Sequence, residues 1–457
     1  MSDDLAFPDA MEGSTAEEKT QRMVSHFGMF TNDVLEGIMT VPEAVHVKNA
    51  LRHKSVSADP ALWTADLSHK IDALSTFDQN YLPTEESAIW VMKLLARMRR
   101  SYEARSFLAK EHRQHYHWMP RILMGARFKP VPAALASIRG TSCILSGPSG
   151  EGKSALLHRL AVSVPFAILL DGTSPAPQKM WVIPILKLSY PPCGTFRGLM
   201  LQLQNKLVEQ VGDYDTPYEA FSDLLGDRAT EAAVAFCTIF NVGILIIDEL
   251  SSRAVNQELH LFANFIVHLK KHAGIPVVLS GTDAFMHAAG LMGSTSTSMF
   301  DGPTHSLLPL PVPKVDANGV VSNNVMNQMG MWYWRHGTFD ADKNPPPPEL
   351  VLWIAKLAAK RSDWFAQGYE ALLNEIARKP QLLKPGALTE EAVKRVFESN
   401  LRLQLPTRDI IEDADKLSGS IEVADFHHHI DRFKLATLQR VNRRWALKSK
   451  MGIPWVA

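Results

Sequence analysis

At 457 residues the chain is too long for one compact domain, so two or three are expected. Its 48 Lys and Arg balance 48 Asp and Glu, and 46% of its residues are hydrophobic. That composition excludes a disordered or strongly charged chain, and global charge argues neither for nor against nucleic acid.

No stretch reaches the roughly 18 continuous apolar residues of a membrane span, so no membrane partner is expected. The N-terminal Met1-Ser2-Asp3-Asp4 is acidic and lacks the apolar run of a signal peptide. Cys143, Cys193 and Cys237 have neither disulfide nor metal spacing. They read as reduced core thiols of a cytoplasmic protein.

In chain order, residues 1–20 are polar and expected to be disordered. Residues 21–120 read as a helical region, with Pro42, Pro60 and Pro83 as breaks. Thr84-Glu85-Glu86 is a helix start signal. Beyond it Lys93, Arg97, Arg99, Arg100, Arg105, Lys110 and Arg113 make a basic run that continues to Arg121, Arg127 and Lys129. It reads equally as a solvated helix face or as a patch for nucleic acid or an acidic partner. Residues 127–139 form a linker in which Arg127, Pro130 and Val131 are loose candidates for adenine contacts.

Gly147-Pro148-Ser149-Gly150-Glu151-Gly152-Lys153-Ser154 follows, matching the phosphate-binding pattern G-x-x-x-x-G-K-[ST]. The apolar residues before it read as a short strand, and Ala155 opens a helix. The glycines allow close backbone approach to a polyphosphate, and the loop N–H groups with the helix N-terminus face the anion. Residues Gly147 to Ala155 are therefore the candidate nucleotide cradle. Lys153 would neutralise phosphate charge, and Ser154 would place its hydroxyl on Mg²⁺.

Residues 121–345 read as an α/β core with a central parallel sheet between helices. Residues 181–188 and 305–310 are strand candidates, and 195–211, 218–240 and 255–273 are helical. In Gly243-Ile244-Leu245-Ile246-Ile247-Asp248-Glu249, four apolar residues make a buried strand that ends in two carboxylates. Asp248 would hold the Mg²⁺ shell, and Glu249 would polarise a water attacking the γ-phosphate. The strand ending at Ser280 offers Ser280, Thr282 or Asp283 for a hydrogen bond to that water or phosphate, with a plain strand-ending turn as the competing reading. Asn344 and Pro345 to Pro348 mark a boundary. Residues 346–415 read as a helical lid and 416–457 as a basic helical tail carrying Arg432, Lys434, Arg440, Arg443, Arg444, Lys448 and Lys450. His427-His428-His429 has no nearby ligand set and reads as a solvated helix start. Trp332 and Trp334 read as core or interface anchors.

Through the two motifs, through Ile275-Pro276-Val277-Val278-Leu279-Ser280-Gly281-Thr282, and through Leu186-Lys187-Leu188-Ser189-Tyr190-Pro191-Pro192, the core resembles the TnsC/TniB family of bacterial AAA+ ATPases that regulate DNA transposition. The resemblance implies that the chain binds ATP and Mg²⁺ and forms a homo-oligomeric ring or filament on double-stranded DNA through backbone contacts. It also implies linkage of a target-selection protein to transposase subunits, and disassembly on hydrolysis. Lys187, Arg197 and Lys206 lie near the region of the family's DNA contacts, though each also reads as a surface charge. A trans-acting arginine is expected, with Arg335, Arg253 and Arg228 as candidates and a surface salt bridge as the competing reading of each. The alternatives are an ATPase switch of signalling or defence that acts through proteins without DNA, and a replication initiator or helicase loader.

Overall fold

The computed structural model describes residues 43–54, 59–105, 107, 109–127, 140–164, 167–171, 179–211, 226–290, 298–314, 321–322, 324–416 and 422–441. The expected disordered N-terminus, Pro130, Val131 and the tail cations Arg443, Arg444, Lys448 and Lys450 lie outside the described residues.

The N-terminal helices are α1 (Ala44–Leu51), α2 (Pro60–Thr64), α3 (Leu67–Leu74), α4 (Glu85–Ala104) and α5 (Lys110–Leu123). The core runs β1 (Ser142–Ser146), α6 (Lys153–Val162), β2 (Ile168–Asp171), β3 (Lys179–Val182), β4 (Ile185–Ser189), α7 (Phe196–Val211), α8 (Gly226–Ile239), β5 (Ile244–Leu250), α9 (Leu259–His268), β6 (Val277–Gly281), α10 (Asp283–Gly290) and β7 (Thr304–Ser306). The remaining helices are α11 (Val325–Trp334), α12 (Leu350–Leu357), α13 (Ser362–Arg378), α14 (Glu390–Asn400), α15 (Leu405–Asp415) and α16 (Val423–His428).

Five strands form one sheet in the order β4-β5-β6-β1-β7, and every neighbouring pair is parallel. Parallel strands buried on both faces need continuous apolar runs, which β5 supplies. Leu245 and Ile247 pack on one face with Val277 and Leu279, under α7, α8 and α9. Ile244 and Ile246 pack on the other with Leu145 and Val278, under α1, α4 and α6. Each such side chain, fully buried, contributes about 1.5–3 kcal/mol of transfer free energy. The expected doubly covered parallel α/β core is the observed fold.

Thr84 caps α4 by accepting from Ser87 N at 3.1 Å, as its start signal implies. This helix lies directly on the sheet: Leu94, Leu95, Met98 and Tyr102 share a cluster with Ile244 and Ile246. The Tyr102 hydroxyl donates to the Asn241 carbonyl at 3.0 Å. Part of the basic run serves this packing. Arg105 is buried and donates to the Val242 carbonyl at 3.0 Å, and Arg97 donates to Thr141 Oγ1 at 2.8 Å. Lys93, Arg100, Lys110, Arg121 and Arg127 remain exposed.

Three local expectations need correction. Residues 181–188 are not one strand: β3 pairs antiparallel with β2 in a separate ribbon, and β4 enters the main sheet. Pro184 between them has no N–H for a ladder, which accounts for the break. Residues 255–273 are not one helix either. A 3₁₀ turn at Ser252–Ala254 precedes α9, and a π turn at Leu269–Ala273 ends it. Cys143 and Cys237 are buried, but Cys193 is exposed in the loop after β4 and is no core thiol.

The helices of the expected lid, α12 to α15, share a separate core with α11, which lies before the expected boundary, built on Trp334, Trp364, Phe365 and Tyr369. Residues 422–441 belong to that core through Phe426, Ile430, Phe433 and Leu438. Among the described residues, no helix is long and apolar enough to cross a membrane.

Candidate nucleotide-binding site

The P-loop links β1 to the N-terminus of α6, as the motif requires. Gly147 has φ +144°, and a Cβ there would sit 2.2 Å from the Leu307 carbonyl oxygen. Gly150 has φ +92°, and a Cβ would sit 2.3 Å from Asp363 Oδ2. Both positions exclude a side chain on conformation and on space. Lys153 is buried, and its ammonium donates to the carbonyls of Gly147 (2.8 Å) and Pro148 (2.7 Å). Burial lowers its pKa, opposed by the carboxylates of Asp283, Glu151, Asp248 and Asp431 around it. Ser154 and Ala155 are exposed on the first turn of α6, beside N–H groups that have no intrahelical partner.

The strand order seats β6 between β1 and β5, so Asp248 and Glu249 emerge beside the P-loop at the C-terminal edge of the sheet. Open α/β sheets bind ligands at that edge. Asp248 is 1% exposed; its Oδ1 accepts from Ser280 Oγ at 2.7 Å and from Glu249 N at 2.9 Å. Its Oδ2 is buried and receives no hydrogen bond, with Lys187 Nζ 3.2 Å away as an ion pair. Lys187 is thus committed to the acidic site by the pairing of β4 with β5. Glu249 is exposed and has φ +65°, a conformation that costs a non-glycine residue about 1–3 kcal/mol. The pairing of β5 with β6 shifts register between Ile247 and Leu250, and this bulge turns Glu249 out of the strand.

The three strand-end candidates of β6 all face the site but are engaged within the chain. Ser280 holds Asp248, Thr282 Oγ1 donates to Asp431 Oδ1 at 2.5 Å, and Asp283 Oδ2 accepts from Leu435 N at 3.0 Å. Of the arginine candidates, Arg228 is partly buried and tied to Glu231 and the Ala126 carbonyl, both at 3.2 Å. Arg253 is exposed just past β5, and Arg335 is exposed at the end of α11. Lys206 pairs with Glu209 at 2.5 Å on α7, where Arg197 is also exposed.

The contacts that close the site from the lid have no local signal in the sequence. Glu151, expected to serve the nucleotide, has its carboxylate buried on Arg361 Nη1 (3.1 Å) and Ser362 Oγ (2.7 Å). The Asp363 N–H donates to the Gly150 carbonyl at 3.0 Å. Arg432 donates to Asp363 Oδ2 at 2.7 Å, and its carbonyl accepts from Arg361 Nη2 at 2.8 Å. Glu151 and Arg361 lie 210 residues apart in sequence, with no spacing rule to join them.

These residues fit a nucleoside triphosphate with a divalent cation. The buried Asp248 Oδ2, which receives no hydrogen bond and has the Lys187 ammonium 3.2 Å away, is the atom a cation shell would take over. Ser154 would supply the hydroxyl and Lys153 the phosphate charge.

Residues 107–290 match the family model described as bacterial TniB protein. No curated protein matches the chain. Among solved structures, the chain is similar to the Aeropyrum pernix ORC2 protein in ADPNP-ADP complexes, at 11% identity over 76% of this chain and 82% of that one, with a TM-score of 0.37. It is also similar to Drosophila ORC bound to DNA, at 13% identity over 77% and 84%, with a TM-score of 0.32. The match to the TniB family model spans the P-loop, the Asp248 strand and β6, so the similarity falls on the residues that build the site.

Proposed function

We propose that the chain is an ATP-hydrolysing regulator of DNA transposition in the bacterial cytoplasm. It oligomerises on duplex DNA with ATP and Mg²⁺ bound, connects a target-selection protein to the transposase, and disassembles when ATP is hydrolysed. The observation that carries this reading is the convergence of Lys153, Asp248 and the out-turned Glu249 at one sheet edge, inside the segment that matches the TniB family model.

The chain's own residues divide the work. Lys153 and the N–H groups of residues 149–154 bind and orient the triphosphate. Asp248 and Ser154 hold the cation, and Ser280 fixes the Asp248 carboxylate. Glu249, free of the strand ladder, takes the proton of a water aimed at the γ-phosphorus. Bound Mg²⁺ supplies charge neutralisation on the β- and γ-oxygens. An exposed arginine, Arg253 or Arg335, would act on the nucleotide of a neighbouring copy. Duplex DNA is held by phosphate contacts, so binding falls steeply with salt.

Electron microscopy of the purified chain with a non-hydrolysable ATP analogue and duplex DNA at low salt tests this. Oligomers on DNA that dissolve as salt rises are expected. An ATP-bound chain that never assembles on DNA overturns the DNA half of the proposal and leaves a protein-directed switch.

A further inference from the structure

Residues 416–457 read as a basic helical tail, but within it residues 422–441 fold back over the phosphate end of the site. The centre of the contact is Asp431. Its carbonyl accepts from Ser149 N of the P-loop at 2.8 Å. Its Oδ1 accepts from Ser252 N at 2.8 Å and from Thr282 Oγ1 at 2.5 Å, and its Oδ2 accepts from Ser252 Oγ at 2.7 Å. These donors come from three elements that meet where a triphosphate would end: the P-loop, the turn after β5 and the end of β6. On one side of Asp431, Arg432 is fixed to Asp363, whose N–H rests on Gly150. On the other, the Leu435 N–H is fixed to Asp283. Ile430, Phe433 and Leu438 anchor the segment in the core of the lid.

We propose that residues 429–435 are an autoinhibitory strap in which the Asp431 carboxylate stands as an internal anion at the γ-phosphate end of the nucleotide site, so that ATP must displace it to bind. The proposal rests on the reading of the P-loop as an ATP site and deepens it. The Ser149 N–H has one proton and serves one acceptor well, the Asp431 carbonyl or a phosphate oxygen. A carboxylate and a triphosphate at the same donors repel each other, and that repulsion is little screened away from water. The strap meets the P-loop and the strand ends through polar contacts, whereas its apolar side chains are buried in the core of the lid, so displacement carries it with the lid. Nucleotide state is thereby linked to the position of the C-terminal segment, and by reciprocity a partner that pulls on that segment raises ATP affinity.

The test uses the full chain and a fluorescent methylanthraniloyl-ATP with Mg²⁺. Asp431→Asn keeps the size and one acceptor oxygen, so the contacts to Ser252 and Thr282 survive while the charge is removed. It is expected to bind the nucleotide at least fivefold more tightly than wild type, and Lys153→Ala is expected not to bind. Equal affinity of wild type and Asp431→Asn, with Lys153→Ala silent, overturns the strap and leaves the P-loop reading standing. Binding by neither wild type nor Asp431→Asn sinks the P-loop reading itself. A second readout needs no variant: amide hydrogen exchange across residues 429–435 should quicken when wild type is saturated with a non-hydrolysable ATP analogue. Unchanged or slower exchange overturns the proposal.

Discussion

The edge of the sheet and the lid that covers it bring charge to one site by opposite means. At the sheet edge, Lys153, Asp248 and Glu249 are placed by short contiguous segments, each a strand end or a strand-to-helix turn. Their geometry follows from local rules of register, bulge and helix start. From the lid, Arg361, Asp363, Asp431 and Arg432 reach the same loop from far along the chain, and only tertiary packing makes them neighbours. The comparison teaches that chemistry is built into rigid local geometry, whereas access to it is set by long-range contacts that can part.

The sharpest separation of the two regions comes from Lys153→Ala. It removes the buried ammonium of the sheet edge and should weaken ATP binding by more than about 100-fold in a calorimetric titration. Retained affinity would mean that the lid, not the loop, binds the nucleotide.

Arg361→Ala strikes the lid side. Glu151 and Arg361 are each almost wholly buried, so removing one strands the other charge at a cost of about 3–5 kcal/mol of stability. Thermal unfolding should report this as a large drop in Tm. Replacing both residues by apolar ones should recover much of the loss. A single variant as stable as wild type would show that the lid does not depend on the P-loop.

Acid should act away from the site as well, on the N-terminal helices. Burial pushes the His112 imidazole down to about 3, well below its value near 6.5 in the unfolded chain. The unfolded state therefore binds the extra proton between those values. The contribution of His112 is complete above about pH 6.5 and is lost as pH falls below it, by up to about 1.4 kcal/mol per pH unit. Tm should be level from pH 8 to 7 and decline below 6.5, with a shallower decline in His112→Gln. A Tm that rises on acidification contradicts this.

Arg440→Ala should have the smallest effect. Its guanidinium donates to the Ala414 carbonyl at 2.9 Å, fastening the end of the strap segment to α15. Losing that bond should cost about 0.5–1.5 kcal/mol and slightly speed amide exchange near residues 435–441. No change in exchange there would detach Arg440 from the strap.

Much of the sheet edge could be read from the sequence. Glycine spacing, a lysine directly after the last glycine and four apolar residues before Asp248 each have a physical meaning, so both motifs and the parallel core are legible there. Ser280 reads as a candidate for water or phosphate, but its hydrogen bond to Asp248 depends on strand order, which no local spacing gives. Lys187 read as surface charge because the register that lays β4 beside β5 is a tertiary fact. The lid contacts were hidden for the same reason. In the sequence Arg432 is one cation of a basic tail and Asp431 one acid beside it, because nothing local distinguishes a solvated acid from one seated on three loops.

The central claim is that the out-turned carboxylate at the end of β5 drives ATP hydrolysis. Steady-state phosphate release by wild type and Glu249→Gln, at saturating ATP and Mg²⁺, tests it most directly. Glu249→Gln is expected to bind ATP as wild type does and to turn it over at least about 100-fold more slowly. Equal turnover by the two proteins would contradict it.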